Sequence, residues 1–144
     1  SSRTDKYFKE LIWKKGEFER VKFDDDYQIS VHKTGNESVS VLQDLSTGEL
    51  KVLGFATMKA LAEISGFNEV PVFIDGPLEY LDEEVQASFL QQLPTFMPEK
   101  QVFIFSVDRE SIVRFGNKNV KSSNFFRLTR DSSSLSTNVV AFKQ

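Results

Sequence analysis

Residues 70–82 read Val-Pro-Val-Phe-Ile-Asp-Gly-Pro-Leu-Glu-Tyr-Leu-Asp, and this stretch sets the fold class. Val70–Ile74 is a short, nearly continuous apolar run. Such a run reads as a strand buried on both faces, as in a parallel sheet. Asp75 follows at its carboxyl end, where open α/β sheets place their ligands. A carboxylate there can hold Mg2+ directly or through water. An Asp after a strand also serves as a plain turn residue. Gly76-Pro77 turns the chain. Asp82-Glu83-Glu84 then starts a helix, because acids in a first turn meet the positive end of the helix dipole. Val85, Phe89 and Leu93 give that helix an apolar stripe, and Pro94 ends it. Val102–Phe105 is a second buried apolar run. Strand, helix, strand in this order make a right-handed, parallel βαβ unit.

Working upstream, the spacing predicts a helix over 45–65, with Leu50, Leu53, Gly54, Thr57, Leu61 and Ile64 on one face and Gly66 as its stop. At its start stands Leu45-Ser46-Thr47-Gly48-Glu49. Ser46 and Glu49 have the spacing of a capping box, in which each side chain bonds the other residue's backbone N–H. The free N–H groups of a helix start, the Ser46 hydroxyl and the small Gly48 also suit a phosphate oxygen. Phe18–Phe23 and Tyr27–Val31 alternate apolar and polar and form a hairpin around the Asp24–Asp26 turn, with Thr34-Gly35-Asn36 closing it. Tyr7, Phe8, Leu11 and Ile12 recur at helical spacing, with Thr4 or Asp5 as cap and Gly16 as terminator. Asn124–Arg130 and Asn138–Phe142 form a last hairpin around the serine-rich turn 131–136. The expected fold is α/β, with a mainly parallel central sheet, packed helices and antiparallel edge hairpins.

Composition narrows the chemistry. At 144 residues the chain is one domain in size, and 40% hydrophobic with 27% charged residues excludes a disordered chain. The absence of cysteine excludes a disulfide framework, a thiolate metal site and a cysteine nucleophile. With His32 alone, a histidine metal cluster is excluded too. His32 reads as a surface strand residue, and Trp13 as helix packing. No apolar run reaches membrane-spanning length and no signal peptide opens the sequence, so the expectation is a cytoplasmic protein without a membrane partner. The net charge is −3. From Glu69 to Glu99 every charged residue is an acid, while Arg3–Lys22 and Lys100–Arg130 are dominated by bases. Solvated faces explain that pattern, and so does a divalent-cation site near a phosphate-binding surface. Arg109, Arg114, Lys118, Lys121 and Arg127 are candidates for contact with DNA phosphates.

In combination the segments are more specific. LSTGE at 45–49, FIDGPLEYLD at 73–82 and QVFIFSVDRE at 101–110 resemble the C-terminal lobe of an ABC-type ATPase head. LSTGE looks like the signature loop, VPVFIDGP like Walker B, Leu81-Asp82 like the D-loop, and QVFIFSVD like the strand leading to the switch position. The pattern is closest to SMC-like DNA ATPases, and among them to the ATPase of DNA phosphorothioation (Dnd) systems. The resemblance covers residues 16–144, and residues 1–15 would be the returning end of a coiled-coil arm.

This resemblance implies that Ser46, Thr47, Gly48 and Glu49 form an ATP-binding loop. Ser46 and Gly48 would touch the γ-phosphate held by an opposing head, and Glu49 would support the loop. Asp75 would hold the water shell of Mg2+, and Leu81 and Asp82 would line the dimer interface, Asp82 doubling as a helix cap. The implied partners are an N-terminal P-loop lobe or a second head, an ATP-dependent homodimer, and DNA. The sequence departs from the family pattern in three places. Gly76 stands where a glutamate usually follows the Walker B Asp, leaving Glu79 and Asp82 as the nearest candidate bases. Val107 stands at the switch histidine, beside Ser106 and Asp108. No G-x-x-x-x-G-K-[ST] occurs, so this chain alone is expected to be inactive as an ATPase. The competing reading is a non-catalytic, Rossmann-like protein-interaction module, and a third is a site for phosphate or Mg2+ alone.

Overall fold

The computed structural model describes residues 1–35, 38–40, 44–67, 69–79, 81–98, 100–107, 124–131, 133–134 and 136–142. The chain begins with helix α1 (Ser2–Leu11). Its cap position is Ser1, upstream of both expected caps. Thr4 is buried instead, and the Asp5 carboxylate accepts the backbone N–H of Val21 at 2.8 Å, tying the helix to the next strand. The helix ends at Leu11 because Ile12 turns extended, and Gly16, at φ +84°, makes the later turn.

Strands β1 (Phe18–Phe23) and β2 (Ile29–Lys33) pair antiparallel, with Val21 opposite Val31 and both fully buried. The intervening turn is held by Asp24, whose Oδ1 accepts the N–H groups of Asp26 and Gln28. Tyr27 belongs to that turn rather than to β2, since its φ of +59° is incompatible with a strand. The expected turn is present at Thr34-Gly35, with Gly35 at φ +77°, and a third strand, β3 (Ser38–Ser40), follows it and pairs with β2. Of that turn, Asn36 lies outside the described residues.

Helix α2 (Thr47–Ile64) has the expected position but a different buried face. Glu49, Val52, Leu53, Ala56 and Ala60 face the core, whereas Leu61 is 58% and Ile64 68% exposed. The helix carries two apolar stripes at helical spacing. The one with alanines is chosen because small side chains admit the bulky Tyr7, Phe8 and Leu11 of α1. Lys59 reaches between the rings of Tyr7 and Phe96, 4.4 Å from each centroid, and donates to the Phe96 carbonyl. Burial holds its ammonium below the usual lysine range. The Tyr7 hydroxyl donates to Glu63, and burial followed by that bond pushes it up to about 12.

Strand β4 (Val72–Asp75), helix α3 (Glu83–Phe96) and strand β5 (Val102–Phe105) form the expected parallel βαβ unit, with Asp75 opposite Phe105. Pro94 lies inside α3 rather than ending it. Proline removes one ladder bond in the last turn, and the helix still closes through Met97 N–H to the Leu93 carbonyl at 2.9 Å. The strand pair is covered on one side only. Ile74 is buried, but Phe73 is 65% exposed and stacks on Phe103, with ring centroids 4.7 Å apart. The continuous apolar run therefore does not mean burial on both faces: among the described residues Phe73, Phe103 and Phe105 are exposed. Strands β6 (Phe125–Arg130) and β7 (Thr137–Phe142) pair as the expected hairpin, with Phe126, Leu128, Val139 and Val140 exposed. The α/β class holds, with parallel strands, packed helices and antiparallel hairpins. Among the described residues the parallel part is the β4–β5 pair, and antiparallel pairing is the more frequent. One core joins α1, β1, β2, α2, β4 and α3.

Candidate functional site

Two loops hold the residues singled out by the sequence, and α2 links them. The first is the N-terminus of α2. Ser46 is its cap, with an extended backbone, and both halves of the capping box are present. Glu49 N–H donates to Ser46 Oγ at 3.3 Å, and Ser46 N–H donates to Glu49 Oε2 at 2.8 Å. The other Glu49 oxygen accepts from Lys14 Nζ at 2.8 Å. Glu49 is only 2% exposed. Burial opposes its charge, but the bonds from Lys14 and Ser46 prevail and hold it below the usual carboxylate range. Lys14 is correspondingly raised, chiefly by the same bond. Ser46 and Thr47 are exposed at the tip. The Ser46 hydroxyl accepts within the box, which leaves its proton to be donated outward.

Gly48 is buried beneath that tip. A Cβ on it would stand 2.9 Å from the Trp13 ring and 3.1 Å from Leu81 Cδ2. The residue is glycine because three segments converge there: the turn after α1, the start of α2 and the chain before α3. Leu81, half-buried against Gly48, therefore has a contact within its own chain.

The second loop follows β4. Asp75 is exposed at the carboxyl end of the strand. Gly76, at φ +57°, turns the chain, and its N–H donates to the Phe105 carbonyl at 3.0 Å. Lys51 of α2 reaches across and donates to the carbonyls of Gly76 at 2.9 Å and Glu79 at 2.6 Å. The Glu79 carboxylate lies directly against Gly76. Asp82 occupies the cap position of α3 but makes no side-chain cap bond. The Gln86 side chain ties down this stretch instead, donating to the carbonyls of Leu78 and Leu81 at 3.1 and 3.0 Å.

Lys51 thus joins the Ser46–Glu49 loop to the Asp75–Glu79 loop, and Gly48 against Leu81 brings in the chain before Asp82. Val107 is 88% exposed just beyond β5. His32 sits half-buried on β2 opposite Arg20. Arg127 is exposed on β6. Tyr80, Glu99, Asp108, Arg109, Arg114, Lys118 and Lys121 lie outside the described residues. Lys14, Lys51 and Gln86 carried no sequence signal, since each acts on backbone or side chains brought near only by folding. Among the described residues no three acids or histidines cluster as a metal site. Asp75 can accordingly serve as one ligand, with a phosphate and water completing the shell, but not as a cage. No described helix is long and apolar enough to cross a membrane.

No protein-family model and no curated protein matches this sequence. Solved structures do. A structure from work on ATP-driven dimerisation and DNA-stimulated activation of SMC ATPases aligns with 99% of this chain and 84% of its own, at TM-score 0.66 and 12% identity. The SMC head domain of Thermotoga maritima aligns over all of this chain and 49% of its own, at TM-score 0.64 and 19% identity. An SMC head bound to the C-terminal winged-helix domain of ScpA aligns over 99% of this chain and 41% of its own, at TM-score 0.68 and 13% identity. The chain has an SMC-head-like fold and spans less than half of the last two.

Proposed function

We propose that this chain is the signature-bearing, C-terminal half of an SMC-like ATPase head. The observation that carries the reading is the Lys51 bridge, which ties the helix that LSTGE opens to the turn after Asp75 in a chain of SMC-head-like fold. In this reading Ser46, Thr47 and the first N–H groups of α2 receive the γ-phosphate of ATP held by an opposing head. Gly48 and Glu49 shape and support that tip. A helix N-terminus supplies both donors and a favourable dipole for this anion. Asp75 holds the hydration shell of Mg2+, which neutralises charge on the phosphates when bound. Leu81 and Asp82 present the chain that faces the second head. The uncovered face of Phe73, Phe103 and Phe105 and the outer stripe of α2 are the surfaces that a P-loop lobe covers. Aligned SMC heads more than twice this length support that occupant.

Residues 1–15 then enter from a coiled-coil arm, and residues 16–144 form the lobe. The complete protein forms an ATP-dependent homodimer acting with DNA in repair, modification or defence, in the cytoplasm. The motif string LSTGE…FIDGPLEYLD…QVFIFSVDRE is what favours a phosphorothioation-type ATPase within that group.

The test is Ser46→Arg in the full-length protein. The arginine is too large for two closely apposed heads, so ATP-driven dimerisation measured by light scattering should disappear. Loss of the cap costs about 1 kcal/mol, and the circular-dichroism melt should change little. A mutant that dimerises with ATP as wild type does would hand the field to the interaction-module reading.

A further inference from the structure

Hydrolysis of a phosphoanhydride requires a group that orients the attacking water and takes its proton. Gly76, next to Asp75, has no side chain to do this. The residue adopts φ +57°, a conformation that L side chains rarely take. The position of a Cβ on it is already filled. Glu79 Cδ stands 2.8 Å from that point, and its two carboxylate oxygens stand 2.9 and 3.1 Å away. The backbone of the turn that carries Glu79 is held in place. Glu79 N–H closes onto the Gly76 carbonyl at 3.4 Å. Lys51 then grips the carbonyls at both ends of the turn, Gly76 and Glu79. Leu78, fully buried, anchors the turn from below. Asp82, the other acid near the loop, is placed at the head of α3.

We infer that Glu79 is the catalytic base of the assembled head, its carboxylate taking the place of a side chain on residue 76. The inference rests on the reading of this chain as half of an ATPase head. As the water oxygen bonds the γ-phosphorus, the bond from phosphorus to the bridging oxygen breaks and its electron pair leaves with ADP. The water's proton passes to a Glu79 oxygen and is returned to solvent as inorganic phosphate departs. A Cβ at residue 76 would crowd this carboxylate and strain a turn whose φ is +57°.

The experiment uses the full-length protein with Mg-ATP, wild type beside Glu79→Gln, reading phosphate release and, by light scattering, ATP-driven dimerisation. Glu79→Gln keeps the shape of the side chain and removes its basicity. Turnover should fall by about 100-fold or more while the ATP-bound dimer forms and lasts longer. A second variant, Gly76→Ala, should lose turnover similarly while still dimerising. Glu79→Gln that dimerises and turns over like wild type overturns the inference and leaves the head reading standing. Loss of dimerisation and turnover together overturns it as well, because Glu79 is then needed for assembly rather than for the chemical step. A wild type that neither dimerises nor hydrolyses overturns the head reading and the inference with it.

Discussion

Gly48 shows how a single residue ties local structure to the site. A Cβ on it would stand 2.9 Å from the Trp13 ring and 3.1 Å from Leu81, so even a methyl group must move one of these side chains. Overpacking of this kind costs about 1–3 kcal/mol. Gly48→Ala should lower stability to chemical denaturation by that amount, and adding Trp13→Leu should restore part of it, because the larger ring is the nearer obstacle. Trp13 is the only tryptophan in the sequence, so its fluorescence reports the contact directly. An unshifted emission spectrum in Gly48→Ala would show that the ring does not pack there. The glycine was read from sequence as a phosphate contact. What the sequence could not supply was Trp13, which lies far upstream and reaches Gly48 only through the packing of α1 on α2.

At the scale of elements, α1 and α2 are held together by polar groups as well as by their shared core. Lys14 and Glu49 join the turn after α1 to the first turn of α2. The pair carries a pH signature whose sign follows from the shifts. Glu49 is depressed in the folded state, so its contribution is present above the unfolded carboxylate pKa and is lost as pH falls through the lower folded value. Lys14 is raised, so its share is present below the unfolded lysine pKa and is lost as pH rises through the higher folded value. Stability from this pair is therefore flat across neutral pH and declines at both extremes. Glu49→Gln should flatten the acid limb of a melting-temperature profile relative to wild type. Lys14→Met should destabilise by more than the ~1 kcal/mol of an exposed pair and less than the ~3–5 kcal/mol of a fully buried one, since Lys14 keeps partial contact with water. Equal acid limbs in wild type and Glu49→Gln would show that this carboxylate titrates as it does in the unfolded chain.

For the molecule as a whole, the informative feature is apolar surface left without cover. Leu61 and Ile64 on α2, Phe73, Phe103 and Phe105 on the parallel pair, and Phe126 and Leu128 on the last hairpin all face outward. The outer side of α2 also lines an apolar groove of about 490 Å3 together with Ile29. Under the half-head proposal these are the faces that the other lobe covers. The 144-residue chain should therefore bind a hydrophobic dye such as ANS. It should show no ATP turnover alone, because LSTGE by itself supplies only a few charge-assisted hydrogen bonds to a phosphate. On the half-head proposal, co-expression with the P-loop lobe that it implies should yield a stable complex that no longer binds the dye and that gains ATP affinity. Persistence of dye binding in such a complex would show that these faces are not where the lobe sits.

The sequence by itself determined the element types, the βαβ unit and the capping box, because each depends on residues close together in the chain. Ser46 and Glu49 are three residues apart, and their reciprocal bonds need only a helix start. Val102–Phe105 and Val72–Asp75 declare themselves by apolar continuity. Folding decided which of the two apolar stripes of α2 is buried, because Ala56 and Ala60 win only when α1 is there to pack on them. It also decided that Pro94 stays within its helix, that β3 joins β2, and that Tyr27 belongs to the turn. Above all it decided the partners of the site. Lys14 on Glu49, Lys51 on the Gly76 and Glu79 carbonyls, and Trp13 on Gly48 are contacts between distant segments. Local periodicity and spacing carry no record of them, and only the packing of α1, α2 and the β4 loop brings them within reach.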